Sequence, residues 1–271
     1  MSRYLILTLL LAACATPPSS TVDALPGVLW ICGGGTLAPE LIAGFVADAG
    51  GDAARLVVVP GASAAADDAD AEERETARWI ARGIGHVVVL HTRDRMRADD
   101  PAFVAPLREA TAVWFGGGDQ HRLAAAYSGT RVEQEILALL ERGGVVGGTS
   151  AGAAIQTRVM IAGGNPEPEM GTGLDLLQDA IVDQHFRARG REPRLVRAVQ
   201  QHPECVGFGI DEGTALVVRG DAARVIGAGG VTVVRAVRGS APSREFLAAG
   251  NEVCASLKGR RRDRADRRAR G

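Results

Sequence analysis

The stretch Val145-Val146-Gly147-Gly148-Thr149-Ser150-Ala151-Gly152-Ala153-Ala154-Ile155-Gln156 decides how this chain is read. A short apolar run enters a turn of small residues, and a small-residue helix is expected over Ala151–Gln156. Within it, Gly148-Thr149-Ser150-Ala151-Gly152 is a G-x-S-x-G pattern in the strand–turn–helix setting that a nucleophile elbow requires. Glycines on both sides permit a tight turn, so the serine Oγ projects at the carboxyl edge of a sheet. The Ala151 N–H then faces the place where negative charge develops in acyl transfer.

Upstream, the chain supplies four more strands. Val28–Cys32, Arg55–Val59, His86–Leu90 and Ala112–Phe115 are short, nearly continuous apolar runs, as in parallel strands buried on both faces. Helical segments lie between them near Leu37–Ala49, Asp68–Arg82 and Ala102–Glu109, with Arg131–Arg142 before the fifth strand at Gly144–Gly147. The repeated β–α order predicts an α/β fold with a doubly wound, mainly parallel sheet flanked by helices, the elbow following its fifth strand. Later strands are expected at Ala180–Asp183, Thr214–Val218, Arg224–Ile226 and Val231–Val234, the last ones open to antiparallel pairing.

The ends differ from this body. Residues 1–13 have the layout of a signal peptide, with Arg3 ahead of the apolar run Leu5–Leu11. That run is too short for a spanning helix, which needs about 20 apolar residues. Leu11-Ala12-Ala13-Cys14 resembles a bacterial lipobox, so Cys14 is the expected lipidation site. Residues 14–26 then form a tether, and the chain is expected to be exported and anchored to a bacterial membrane. Residues 258–271 carry a charge of +6 and read as a basic, disordered tail. The net charge of −1 therefore hides a segment over 15–257 of −8. An acidic body with 4% aromatic residues excludes a nucleic-acid partner. Cys32, Cys205 and Cys254 have no framework spacing; a Cys205–Cys254 disulfide is admissible but not deducible. No H-E-x-x-H or paired-cysteine motif is present, so no metal or other cofactor is expected. A homodimer is compatible with the sequence.

A serine nucleophile needs a base. The five histidines are His86, His91, His121, His185 and His202, and position alone selects none of them. His185, in Asp183-Gln184-His185-Phe186, is followed by Arg189, Arg191 and Arg194. Guanidinium groups at this density suit capture of carboxylates. Asp211 and Glu212, adjacent ahead of a strand, are two candidates for orienting an imidazole. Rival readings are weaker. Gly33-x-Gly35-x-x-Ala38 approximates a dinucleotide fingerprint, but the second strand ends in Val59-Pro60-Gly61 without the ribose-binding acid. An esterase of the α/β-hydrolase type orders its residues serine, acid, histidine; here the blocks run serine, histidine, acid. A catalytically dead lipoprotein needs a broken triad.

Four blocks, FGGGDQ (115–120), GGTSAGA (147–153), DQHFRARGREPRL (183–195) and GFGIDEGTALVV (207–218), resemble cyanophycinase and the wider S51 serine peptidases, which include aspartyl dipeptidase. They occur in family order and, with Gly33-Gly34-Gly35, span nearly the whole body. Gly116 departs from the family, where a threonine is common, and the Ser150–His185 interval is shorter than in cytosolic members. The resemblance implies a fold similar to class I glutamine amidotransferases, with serine replacing the nucleophilic cysteine. It implies Ser150 as nucleophile, His185 as base and Glu212 as the residue orienting it, with oxyanion N–H groups from Gly118 and Ala151. Gln120, Asp183, Gln184, Arg189, Arg191 and Arg194 match positions that hold an aspartate-containing peptide. The implied substrate is cyanophycin, poly-aspartate with arginine on each β-carboxyl, or short aspartyl and β-aspartyl peptides.

Overall fold

The computed structural model describes residues 26–254. The signal segment, Cys14 and the basic tail lie outside the described residues. Among those described, no helix is long and apolar enough to cross a membrane.

The first half alternates strand and helix as expected: β1 (Val28–Cys32), α1 (Pro39–Ala49), β2 (Arg55–Val59), α2 (Ala71–Ile80), β3 (His86–Val89), α3 (Arg95–Ala98), α4 (Ala105–Glu109), β4 (Ala112–Phe115), α5 (Gln120–Tyr127), α6 (Arg131–Glu141) and β5 (Val145–Thr149). A short helix, α7 (Ala151–Ala154), follows the elbow, and β6 (Val159–Gly163) pairs with β7 (Glu169–Thr172) as a hairpin. Then come β8 (Ala180–Asp183), α8 (Glu192–Gln201), β9 (Val206–Ile210), β10 (Thr214–Arg219), β11 (Ala222–Gly227), β12 (Gly230–Val237), β13 (Ser240–Ala248) and β14 (Glu252–Cys254).

The main sheet runs β14-β11-β10-β1-β5-β4-β2-β3. The five strands from β1 to β3 are parallel, while β10, β11 and β14 extend the sheet antiparallel. Period-two alternation divides its residues between two cores. Trp30, Leu56, Val58 and Trp114 face α1 and α2, where Phe45 and Trp79 meet them. Ile31, Val57, Val59, Phe115 and Val146 face the opposite layer, with Leu123, Ile136 and Leu139 of α5 and α6. Phe45 is fully buried, its ring 4.7 Å from that of Trp114. Each such side chain contributes roughly 1.5–3 kcal/mol through burial.

Two points that the sequence leaves open are decided here. Ala180–Asp183 and Val231–Val234 do not join the main sheet; they belong to a separate four-stranded sheet, β13-β12-β9-β8. Apolar patterning reports that a strand is buried, not which sheet buries it, and β9 at Val206–Ile210 had no strand signal because two glycines interrupt it. The Cys205–Cys254 disulfide is not formed. Cys205 is a free thiol leading into β9, whereas Cys254 ends β14 in the other sheet. Burial pushes both the Cys205 and the Cys32 thiol up to about 12.

Candidate active site

Ser150 sits where β5 turns into α7, with φ 54° and ψ −112°. A non-glycine residue held there costs on the order of 1–3 kcal/mol and persists only where its surroundings impose it. They do so by close packing. A side chain at Gly148 would collide with the Gly152 backbone, and one at Gly152 with the Phe115 carbonyl. The Ser150 N–H donates to the Cys32 carbonyl at 3.0 Å, fastening the elbow to the end of β1. Behind it the fully buried Gln156 donates to the carbonyls of Trp30 and Gly152. Gln156 was not singled out from the sequence; its spacing of four from Gly152 was the available signal.

His185 follows β8 at the neighbouring sheet's carboxyl end. Its N–H donates to the Gly33 carbonyl at 2.6 Å, so the first βα loop of the main sheet holds the second sheet's histidine. Gly34 lets the imidazole approach, because a side chain there would strike the ring. His185 Nε2 lies 2.8 Å from Ser150 Oγ, and its Nδ1 lies 2.5 Å from Glu212 Oε1. His185 is 8% exposed, whereas the Glu212 side chain is 44% exposed. The relay is therefore serine, histidine, glutamate across two sheets. Of the two candidate acids, Asp211 faces away. It is buried, takes the Arg187 guanidinium and accepts from the Gly230 N–H at 2.9 Å. His86, His91, His121 and His202 play no part in this relay; His91 Nε2 meets Asp67 at 2.8 Å.

The remaining sequence candidates divide into two groups. Asp183 and Arg194 do not face the cleft: Asp183 is fully buried, and Arg194 grips it with Nε at 2.9 Å and Nη2 at 2.5 Å. Arg194 Nη1 donates to the Gly164 carbonyl at 2.7 Å. Of the residues that match substrate-holding positions, these two are therefore engaged with each other. They brace the wall behind His185, because an unpaired buried charge is too costly to leave facing an empty cleft. Arg191 is half-tied, with Nη1 donating to the Gln184 carbonyl at 2.6 Å and lying 3.5 Å from Asp183. Burial and the neighbouring Arg194 charge hold its guanidinium below the usual arginine range. Arg189 is exposed. Gln184 keeps a buried Oε1 without a hydrogen-bond partner, a group that costs about 1–3 kcal/mol unless something supplies a donor. Gln120 heads α5, and its amide donates to the carbonyls of Ile161 and Ala162.

Gly117, in the middle of the FGGGDQ block, lies beside the nucleophile: a methyl group on it would be 3.5 Å from Ser150 Cβ. Gly118 follows it at φ 141°, packed on the Ala62–Ser63 backbone. Ala151 occupies the first helical position, whose N–H has no partner within its own helix. Among the described residues no group of three or more His, Cys, Asp or Glu side chains is placed to hold a metal.

The model of Peptidase family S51 matches residues 31–226. A cyanophycinase of Geminocystis herdmanii is 36% identical over 204 residues, covering 72% of this chain and 74% of that protein. A cyanophycinase of a Nostoc species is 38% identical over 205 residues, covering 72% and 68%. Among solved structures, a peptidase from an acI-B1 actinobacterium superposes with a TM-score of 0.64 at 24% identity, covering 84% of this chain and 96% of its own, which supports the fold. The matched segment contains the elbow, the histidine and the glutamate, and on these grounds the chain belongs to peptidase family S51.

Proposed function

We propose that this peptidase is of the serine type and hydrolyses cyanophycin, or closely related β-aspartyl peptides, to dipeptides through an acyl-enzyme. The observation that carries the reading is the relay from Ser150 Oγ through His185 to Glu212, with spacings of 2.8 and 2.5 Å. Glu212 accepts a hydrogen bond from Nδ1–H, which leaves Nε2 as the acceptor facing the serine. His185 takes the Ser150 proton as Oγ attacks the scissile carbonyl. The N–H groups of Gly118 and Ala151 receive the oxyanion. His185 then protonates the leaving amine, and water, activated by the same imidazole, clears the ester. Arg189 and Arg191 take substrate carboxylates, and the unpartnered Gln184 Oε1 supports the reading as an acceptor for a substrate N–H. The names of the relatives support cyanophycin. The proposal includes export and lipid anchoring through Cys14, which the leader sequence supports.

The test is to incubate the purified chain with cyanophycin, β-Asp-X peptides and α-linked Asp-X peptides, and to identify products by mass. Release of β-Asp-Arg that ceases in Ser150→Ala is the expected result. Cleavage of α-linked Asp-X alone would overturn the cyanophycin reading in favour of an aspartyl dipeptidase.

A further inference from the structure

Thr149 and Gly117, next to the nucleophile, line a second cleft that contains none of Gln120, Gln184, Arg189 or Arg191. It has a volume of about 500 Å³ and lies on the α1/α2 face of the main sheet. Gln120 heads a helix on the opposite face, and the other three surround the second sheet. Gly35 and Gly117 form the end of the cleft next to the triad. A methyl group on Gly35 would lie 3.1 Å from Glu212 Oε2, and Gly117 is the residue against Ser150. One end of the cleft therefore lies beside the loop that carries the nucleophile.

The far wall is cationic. Arg74 and Arg78 lie one turn apart on α2, and Arg82 follows just beyond the end of that helix at Ile80. The lining offers a single carboxylate in return, Glu75. Arg74 is held by Asp68 and Asp70, and Arg78 pairs with Glu75 at 2.7 Å. Arg82 is exposed and lies over the Trp79 ring, 4.6 Å from its centre, and the carboxylate that attracts its charge is Glu75, which already pairs with Arg78. Desolvation, then the Arg78 charge, holds the Arg82 guanidinium below its ordinary range. Glu75 offsets part of this, and an anion in the cleft would favour the charged guanidinium further.

We propose that this cleft is a second carboxylate subsite, in which Arg82, backed by Arg78, holds a substrate carboxylate on the side of the scissile bond opposite Arg189 and Arg191. The proposal rests on the peptidase reading above. Its chemistry is a planar carboxylate on a guanidinium fork. A substrate carrying a carboxylate on every repeat is then read on both sides of the cut, which favours a polymer over an isolated dipeptide.

Defined oligomers of three β-Asp-Arg units separate the two sides. One has a single carboxamide on the acyl-side unit, one has it on the leaving-side unit, and the parent has none. The full chain is compared with Arg82→Gln and Arg191→Gln by KM and kcat. In the wild type each carboxamide is expected to raise KM. In Arg82→Gln, KM for the parent rises about tenfold, discrimination against one of the two amidated oligomers is lost, and discrimination against the other is kept. Arg191→Gln shows the reverse pattern, and Arg82→Lys restores part of the loss. Arg82→Gln that still discriminates against both amides overturns the subsite alone. A wild-type chain that cleaves all three oligomers equally well also overturns it. A wild-type chain that cleaves none overturns the peptidase reading together with the subsite.

Discussion

Arg194 and Asp183 bind each other through two parallel hydrogen bonds, Nε to Oδ2 at 2.9 Å and Nη2 to Oδ1 at 2.5 Å, with both side chains shut off from solvent. The pair joins the last residue of β8 to the first turn of α8, and the segment between them carries His185, Arg189 and Arg191. The site is thus held by charges that themselves stay out of the cleft.

Arg194→Ala strands the Asp183 carboxylate in the interior. It is expected to destabilise the protein by about 3–5 kcal/mol. For a chain of this size the melting temperature falls on the order of 10 °C. Arg194→Lys rescues little, because an ammonium cannot reproduce the paired geometry. Arg191→Ala is expected to leave the melting temperature within a few degrees and to raise KM for an acidic peptide. Thermal melts beside steady-state kinetics check both; a normal melt for Arg194→Ala would remove the bracing role.

Ser150 is strained, and that strain has a measurable consequence. Ser150→Ala loses turnover and keeps the unfavourable backbone at φ 54°. Ser150→Gly loses turnover too, but occupies this conformation freely. The glycine variant is expected to melt higher than the alanine variant, by on the order of 1 kcal/mol in unfolding free energy. Equal stability of the two in denaturant titrations would argue against stored strain.

The adjacent acids are expected to separate cleanly. Glu212→Gln leaves the geometry in place but disturbs the imidazole tautomer, and kcat falls by about 10²–10⁴-fold. Asp211→Asn weakens the tie to Arg187 and the Gly230 N–H, so its effect falls on stability, about 1–3 kcal/mol for a buried acceptor with impaired partners. A kcat loss of similar size in both variants would contradict the assignment of Glu212.

Acid sensitivity is expected at Asp67. Hydrogen bonding from Arg93, and then from His91, lowers its carboxyl to about 2. The same Arg93 donates to the carbonyls of Gly61 and Ser63, the loop on which Gly118 packs. Because the folded carboxyl is the stronger acid, its stabilisation is present above the unfolded value of about 3.9 and is lost as pH falls through about 2. The melting difference between the wild type and Asp67→Asn should be constant from neutral pH to about 4 and vanish towards pH 2. A difference that persists unchanged at pH 2 would count against this tie.

Much of the fold was legible because its signals are local. The apolar runs of β1 to β5 and the helices between them are nearest-neighbour patterns, and G-x-S-x-G is a steric code, since Gly148 and Gly152 are the positions where a side chain would meet backbone. The second sheet was not legible. Ala180–Asp183 and Val231–Val234 have the same burial pattern whichever sheet receives them, and the glycines of β9 hide its strand character.

The residues alone determined that Ser150 stands on an elbow and that His185 is surrounded by charge. They also placed two acids side by side before β10. Only the tertiary structure decided which of those acids serves the histidine, because the choice depends on how two sheets meet: Glu212 reaches the imidazole held by the Gly33 carbonyl, while Asp211 turns to Arg187. The three arginines, equivalent as a sequence cluster, were likewise sorted by burial, Arg194 to Asp183, Arg191 part-way and Arg189 to the open side. A charge written in sequence has no direction until the chain's other segments decide how much water and which counter-charge it keeps.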